Sequence, residues 1–187
     1  MGVIFSGIGA ALSAALITFL MNYIHHIRRD RKSSALNLYE AIETARHDIG
    51  TIAISMSQVA RKWSSYESSI DFLLQSGVTT SPAESRMAAI VALDFPALTQ
   101  RHQEIVKKIK EINEIVGHLS FKNSEYQNNE TAEKLISLKD EVMDISDLLR
   151  NEALEIAREP LWNYMTRRGV CILKKIDPRK TLERLQL

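Results

Sequence analysis

Residues 1–24 contain no Asp, Glu, Lys, Arg or His, and no other feature restricts the fold of this chain as strongly. The run reads MGVIFSGIGAALSAALITFLMNYI. It is stopped at once by His25-His26-Ile27-Arg28-Arg29-Asp30-Arg31-Lys32. At about 1.5 Å per helical residue it is long enough for the ~30 Å hydrocarbon core of a bilayer. A secretory signal peptide would carry basic residues ahead of its apolar run, whereas here four follow it and none precedes it. An interfacial helix would need a charged face, and a buried core helix is seldom this long without one charge. The expectation is a single transmembrane helix over residues 1–27 and a solvated basic juxtamembrane collar over 28–34. Excess Lys and Arg stay on the cytoplasmic side. Arg28, Arg29, Arg31 and Lys32 therefore predict an outside N-terminus and a cytoplasmic C-terminal domain, at an inner or plasma membrane.

Within that run Gly2, Ser6, Gly9 and Ser13 recur at spacings of four, three and four, so they share one helix face. Small residues let helix backbones approach closely in lipid, and close packing then drives association. The expectation is a homo-oligomer held partly through this face.

From Ala35 the apolar positions keep a 3-4 spacing through Leu38, Ile42, Ala45, Ile49, Ile52, Met56, Val59, Trp63, Tyr66, Ile70 and Leu73. A strand pattern has period two, so this spacing predicts a helix of about 45 residues with a coiled-coil-like seam. Ile42, Ile49, Ile52, Met56, Val59 and Trp63 form its centre. The partner is either a helix of the same chain or the same helix of a neighbouring protomer. Gly50 inside it predicts a bend or a close contact, and no breaker separates this helix from the span.

Gly77 is a left-handed C′ residue, and Ser81-Pro82-Ala83-Glu84 combines an N-cap, a proline at N1 and a capping-box glutamate. A short helix to about Leu93 follows, broken at Asp94-Phe95-Pro96. The next helix, about 96–117, repeats the spacing with Leu98, His102, Ile105, Ile109, Ile112, Val116 and Leu119. His102 is its odd member, either a buried base or ligand, or a histidine satisfied by a neighbour. After a polar loop (Phe121 to Asn129), Asn128 or Asn129 caps a helix carrying Leu135, Leu138, Val142, Ile145, Leu149, Ala153 and Ile156. Its acidic residues Asp140, Glu141, Asp144 and Asp147 predict a solvated face rather than the alternatives, a metal site or a surface for a basic partner. Together residues 35–159 read as a helical bundle.

Residues 160–187 form a basic, aromatic C-terminal segment in which Trp162, Tyr164, Arg167, Arg168, Lys174 and Lys175 are candidate docking residues. Either Trp162, Tyr164 and Ile172 simply cap the bundle core, or the aromatic and basic side chains together serve a membrane surface, a protein partner or, less readily, nucleic acid. Charge is unevenly placed: residues 1–32 are net +3, residues 33–157 net −7 and residues 158–187 net +5. Seven glycines, four prolines and 45% hydrophobic residues exclude a low-complexity chain. The single cysteine, Cys171, cannot form an intramolecular disulfide, which suits a reducing compartment.

No phosphate loop, HExxH, CxxC or GxSxG motif is present. No histidine has an arginine four to six residues upstream, so the catalytic pattern of HEPN ribonucleases is missing. The chain reads as no enzyme, with no cofactor and no metal. The fold class expected is all-α: a single N-terminal transmembrane helix followed by a cytosolic bundle of long antiparallel helices. In architecture it resembles small single-pass bacterial proteins whose helical domain senses or binds a partner while the span acts, such as phage-defence membrane effectors and superinfection-exclusion factors. That resemblance implies an antiviral membrane effector whose span perturbs the bilayer or forms a pore. The alternatives are a membrane-tethered adaptor or scaffold, and a degenerate HEPN-like or RNA-binding accessory protein.

Overall fold

The computed structural model describes the backbone of residues 2–78, 82–121 and 124–160, with residue 163. Within these ranges it describes side chains from residue 14 onward, those of 82 and 124 excepted. The elements are α1 (Gly2–Ala60), α2 (Tyr66–Gln75), α3 (Pro82–Asp94), α4 (Thr99–Ser120) and α5 (Asn129–Arg158). Short 3-10 turns lie at Pro96–Leu98 and Ser124–Tyr126, and the described residues include no strand.

The bundle is built from long helices crossed by specific pairs. Arg101 meets Glu152 and Lys108 meets Glu141, so α4 and α5 run antiparallel. Arg46 meets Asp147 and Gly50 lies against Met143, so α1 and α5 are antiparallel as well. The short α3 packs beside α1, with Arg86 reaching Glu40. The four helices close over one core, in which Leu38, Ile42, Met56, Met87, Val91, Phe95, Ile105, Leu119, Leu135, Val142 and Leu149 are almost wholly buried. Each such side chain contributes roughly 1.5–3 kcal/mol of burial, which is what holds helices of mixed polarity together.

The 3-4 seam of α1 is filled within the chain. Ile42, Ile49, Ile52, Met56 and Val59 are all buried in the shared core against α3, α4 and α5. Gly50 makes the close contact its position suggests: a Cβ there would stand 3.3 Å from the Met143 terminal methyl.

The long helix departs from expectation at its end. It stops at Ala60, where Trp63 N–H donates to the Gln58 carbonyl (2.9 Å) and Lys62 N–H to that of Val59 (3.0 Å). These are the two bonds of a Schellman turn, with Lys62 in the left-handed region at φ 63°. Trp63 is therefore no seam residue. It lies past the helix end, 73% exposed, with the Arg61 guanidinium 5.0 Å from its ring. The chain restarts at Ser65, whose hydroxyl accepts from Ser68 N–H, and Gly77 at φ 69° closes α2 rather than α1. At its other end α1 is continuous with the uncharged stretch, forming one helix of 59 residues. Among the described residues no helix is long and apolar enough to cross a membrane. The described side chains enter the uncharged stretch only at Ala14.

Candidate functional site

α1 leaves the bundle below Arg31. From Ala14 to Tyr23 every side chain is exposed, on all faces of the helix. Leu16, Ile17, Phe19, Leu20, Met21 and Tyr23 together make a collar of large apolar groups that no described residue covers. Its polar side chains are few: Thr18, Asn22 and the Tyr23 hydroxyl. The Thr18 hydroxyl donates to the Ala14 carbonyl at 2.8 Å, the device by which hydroxyls are accommodated in apolar helices. Phe19 and Tyr23 stack one turn apart, with ring centroids 6.4 Å apart. Between them and Arg31, His26 Nδ1 lies 2.7 Å from the Asp30 carboxylate.

The junction between this projecting helix and the bundle is one side chain. Arg31 is 4% exposed, and its guanidinium donates to the carbonyls of Glu159, at 3.0 Å, and Ile156. The last four carbonyls of an α-helix lack intrahelical partners, and a cation at that end also meets the favourable pole of the helix dipole. Arg31 therefore caps α5 from α1. The solvated collar is thus corrected: Arg28, Arg29 and Lys32 are exposed, whereas Arg31 is folded into the bundle.

Above the junction the helices are stitched by half-buried ion pairs. Asp147 accepts from both Arg46 and Arg150, Arg150 reaches Glu43 at 3.4 Å, and its guanidinium stands 5.7 Å from the Tyr39 ring. On the α4 side Lys108 meets Glu141 at 2.7 Å, and the Glu141 hydrogen bond holds its ammonium above the ordinary lysine value. The Glu152 hydrogen bond does the same for Arg101. The acidic face of α5 is accordingly not simply solvated: Asp140, Glu141 and Asp147 are paired, Asp140 with Lys139 at 2.8 Å. Two of the pairing bases, Arg46 and Lys108, come from other helices, Arg46 from 101 residues away in the chain, beyond the reach of any local pattern.

Inside the bundle, a small cavity of ≈ 30 Å³ is lined by Ala45, Asp48, Ile49, Ile52, Ala83, Glu84, Ile109, Ile112 and Asn113. That is space for roughly one or two waters, not for a substrate. His102 is buried in α4, and its Nε2 finds no hydrogen-bond partner among the described residues. Burial holds its imidazole below the ordinary value, against the opposing pull of the Glu84 carboxylate. In the unfolded chain the ring takes up its proton near pH 6.5, before the folded protein does. Stability is therefore full above that pH and is lost as pH falls towards the depressed folded value. Urea unfolding should show His102→Leu losing less stability between pH 7.5 and 5 than the parent, by at most about 2 kcal/mol. Equal losses would contradict a neutral buried His102.

A wider groove of ≈ 520 Å³ opens between the end of α1 and α2, about 35 Å along α1 from Arg31. Thr51, Ser55, Gln58, Ser64 and Ser68 line it with hydroxyl and amide groups, and Ile54 and Phe72 stand half exposed at its edge. Among the described residues no group of three or more His, Cys, Asp or Glu is placed to hold a metal ion.

The span-association residues Gly2, Ser6, Gly9 and Ser13 lie outside the described side chains, and Trp162, Tyr164, Arg167, Arg168, Lys174 and Lys175 lie outside the described residues. The features that sequence reasoning missed are Arg31 as a helix cap, buried Asp48, and the Glu43–Arg46–Asp147–Arg150 network. Comparison with known protein families, curated proteins and solved structures returns no match for this chain.

Proposed function

We propose that this chain is a membrane-anchored helical protein without enzymatic activity. Residues 1–24 enter a bilayer as the first part of α1, and the bundle stands on the cytoplasmic side. The bundle senses or binds a partner, and the span answers it in the membrane, as an effector does. The observation that carries this reading is the continuity of α1. One helix runs from the uncharged stretch into the centre of the core, so a rearrangement among α3, α4 and α5 reaches the apolar stretch without crossing a hinge. The exposed apolar collar around Ala14–Tyr23 supports it, since no described residue covers that surface and insertion into lipid would remove it from water. Because the α1 seam is used up inside the chain, assembly of copies falls to the Gly2, Ser6, Gly9 and Ser13 face.

The groove beside Phe72 favours a second reading, a tethered adaptor that recruits a protein partner at the end far from the anchor. Overexpression separates the two. An effector arrests growth, and either Gly9→Leu or an unrelated span in place of residues 1–24 relieves the arrest. Growth arrest that survives both changes would sink the effector reading. An adaptor is harmless when overexpressed and still captures its partner with the foreign span.

A further inference from the structure

The corner that ends α1 leaves a knob and a hole side by side on one face of the bundle. After Lys62, held at φ 63°, the chain folds back so that α2 lies beside residues 51–58 of α1. The ≈ 520 Å³ groove between them is the hole, lined by Thr51, Ser55 and Gln58 of α1 and by Ser64, Ser68 and Ser69 around the start of α2. Three of its hydroxyls are engaged within the chain. Thr51 donates to the His47 carbonyl at 2.8 Å, Ser69 to the Ser64 hydroxyl at 3.2 Å, and Ser64 to the Ser65 carbonyl at 3.3 Å. An apolar side chain can enter without stranding those donors. The knob is Phe72, 53% exposed at the edge of the groove and about two helical turns from Ser64.

We propose that this face is a two-fold interface with a second copy of the chain, in which Phe72 of each copy fills the groove of the other. A closed dimer needs one surface that complements itself, with each contact made twice. Ser64, Ser68 and Phe72 stand four residues apart, so an axis beside Ser68 sets Phe72 of one copy opposite Ser64 of the other. The same axis runs the two α2 helices antiparallel, and their charges then match. Arg61 and Lys62 precede α2, and Asp71 lies in its last turns. Each copy's two bases thus face the other's Asp71 and the negative pole of its α2. Lys62 and Asp71 are exposed and have no ion-pair partner among the described residues, in a bundle whose long helices are cross-linked by such pairs. Glu67, on the Asp71 side of α2, has an interaction within its own chain. The interface lies at the end of the bundle away from Arg31, so it adds to association in the span and does not depend on it.

Sedimentation in mild detergent gives the mass of the full chain carrying Gly9→Leu, which disables the proposed span face and leaves the groove to hold the copies. The expected result is a dimer. A buried interface aromatic is worth about thirtyfold or more in affinity, and the dimer holds two, so Phe72→Glu raises its dissociation constant about a thousandfold. Phe72 is half exposed, so the bundle keeps its fold. Lys62→Asp and Asp71→Lys each weaken the dimer about tenfold, and the two together restore it, since the axis pairs one with the other. Aspartate tolerates the left-handed backbone at position 62. A monomeric Gly9→Leu chain would overturn this interface, and a heavier parent beside it would keep association in the span. A mass that Phe72→Glu leaves unchanged, or a charge swap that fails to restore the dimer, would overturn the interface as well. A monomer that captures another protein through Phe72 would assign the groove to that partner and overturn the second copy.

Discussion

Phe95→Ala is expected to lower the stability of the bundle by about 3–5 kcal/mol, read as a shift of the urea midpoint without a change in slope. Phe95 is 2% exposed and is the largest of the wholly buried side chains. It sits at the corner where the chain turns from α3 into α4. Pro96 disfavours helical geometry there, and Phe95 takes φ −128° and ψ 55°. The corner is nonetheless closed: Phe95 N–H donates to the Val91 carbonyl at 3.2 Å, and its own carbonyl accepts from Leu98 N–H at 2.8 Å. Phe95 belongs to the core cluster shared by α1, α3, α4 and α5, so loss of its ring leaves a cavity in that core. Domains of this size have roughly 5–15 kcal/mol in total, so the variant stands near the edge of folding. Phe95→Leu, which keeps most of the volume, should lose less than half as much. Equal losses for the two variants would show that the ring's volume is not what matters at this corner.

Arg31→Met is expected to cost about 2–3 kcal/mol. Methionine keeps the length of the buried stem and removes every donor. Two carbonyls at the end of α5 then lose a charged partner, and burial keeps water from replacing it fully. The effect should be local as well as global. Amide exchange should quicken in the last two turns of α5, while the middle of α5 around Val142 keeps its protection relative to the global stability. Arg31→Lys restores the charge but not the fork that reaches two carbonyls, so it recovers only part of the loss. Unchanged exchange at the end of α5 would show that Arg31 does not hold it.

Where a signal was local and carried by one residue type, the sequence was a sound guide. Pro82 opens α3, Asn128 caps α5 by accepting from Thr131 N–H at 2.7 Å, and Gly77 takes the left-handed conformation. The buried faces of α4 and α5 follow the 3-4 spacing almost residue by residue, and so does that of α1 to Val59. The reading failed at Lys62 because the turn there uses a lysine where glycine is the usual residue, in a stretch without Gly or Pro. The apolar spacing runs straight through that break because Tyr66, Ile70 and Leu73 on α2 face the same core. Arg31 was misplaced for a different reason. Beside Arg28, Arg29 and Lys32 it reads as one more flanking charge, and only the antiparallel return of α5 gives it two carbonyls to bind. The pairs of Asp147 with Arg46 and of Glu141 with Lys108 were hidden likewise, since each depends on which helix comes to lie alongside.

Everything proposed about function depends on whether the uncharged part of α1 enters a bilayer. The most direct measurement is alkaline carbonate extraction of membranes from cells expressing the full chain, beside a Leu16→Glu/Leu20→Glu variant. Both leucines are exposed among the described residues and lie outside the core cluster, so the bundle itself is undisturbed. Alkali strips proteins held by charge and leaves those whose helix lies in hydrocarbon. Two glutamates in the half of the span nearer its basic flank cost at most about 5–7 kcal/mol of insertion, the translocon-scale value for two charges at a helix centre. The account predicts that the parent stays with the pellet and the variant is released. A parent chain that alkali extracts completely would contradict it.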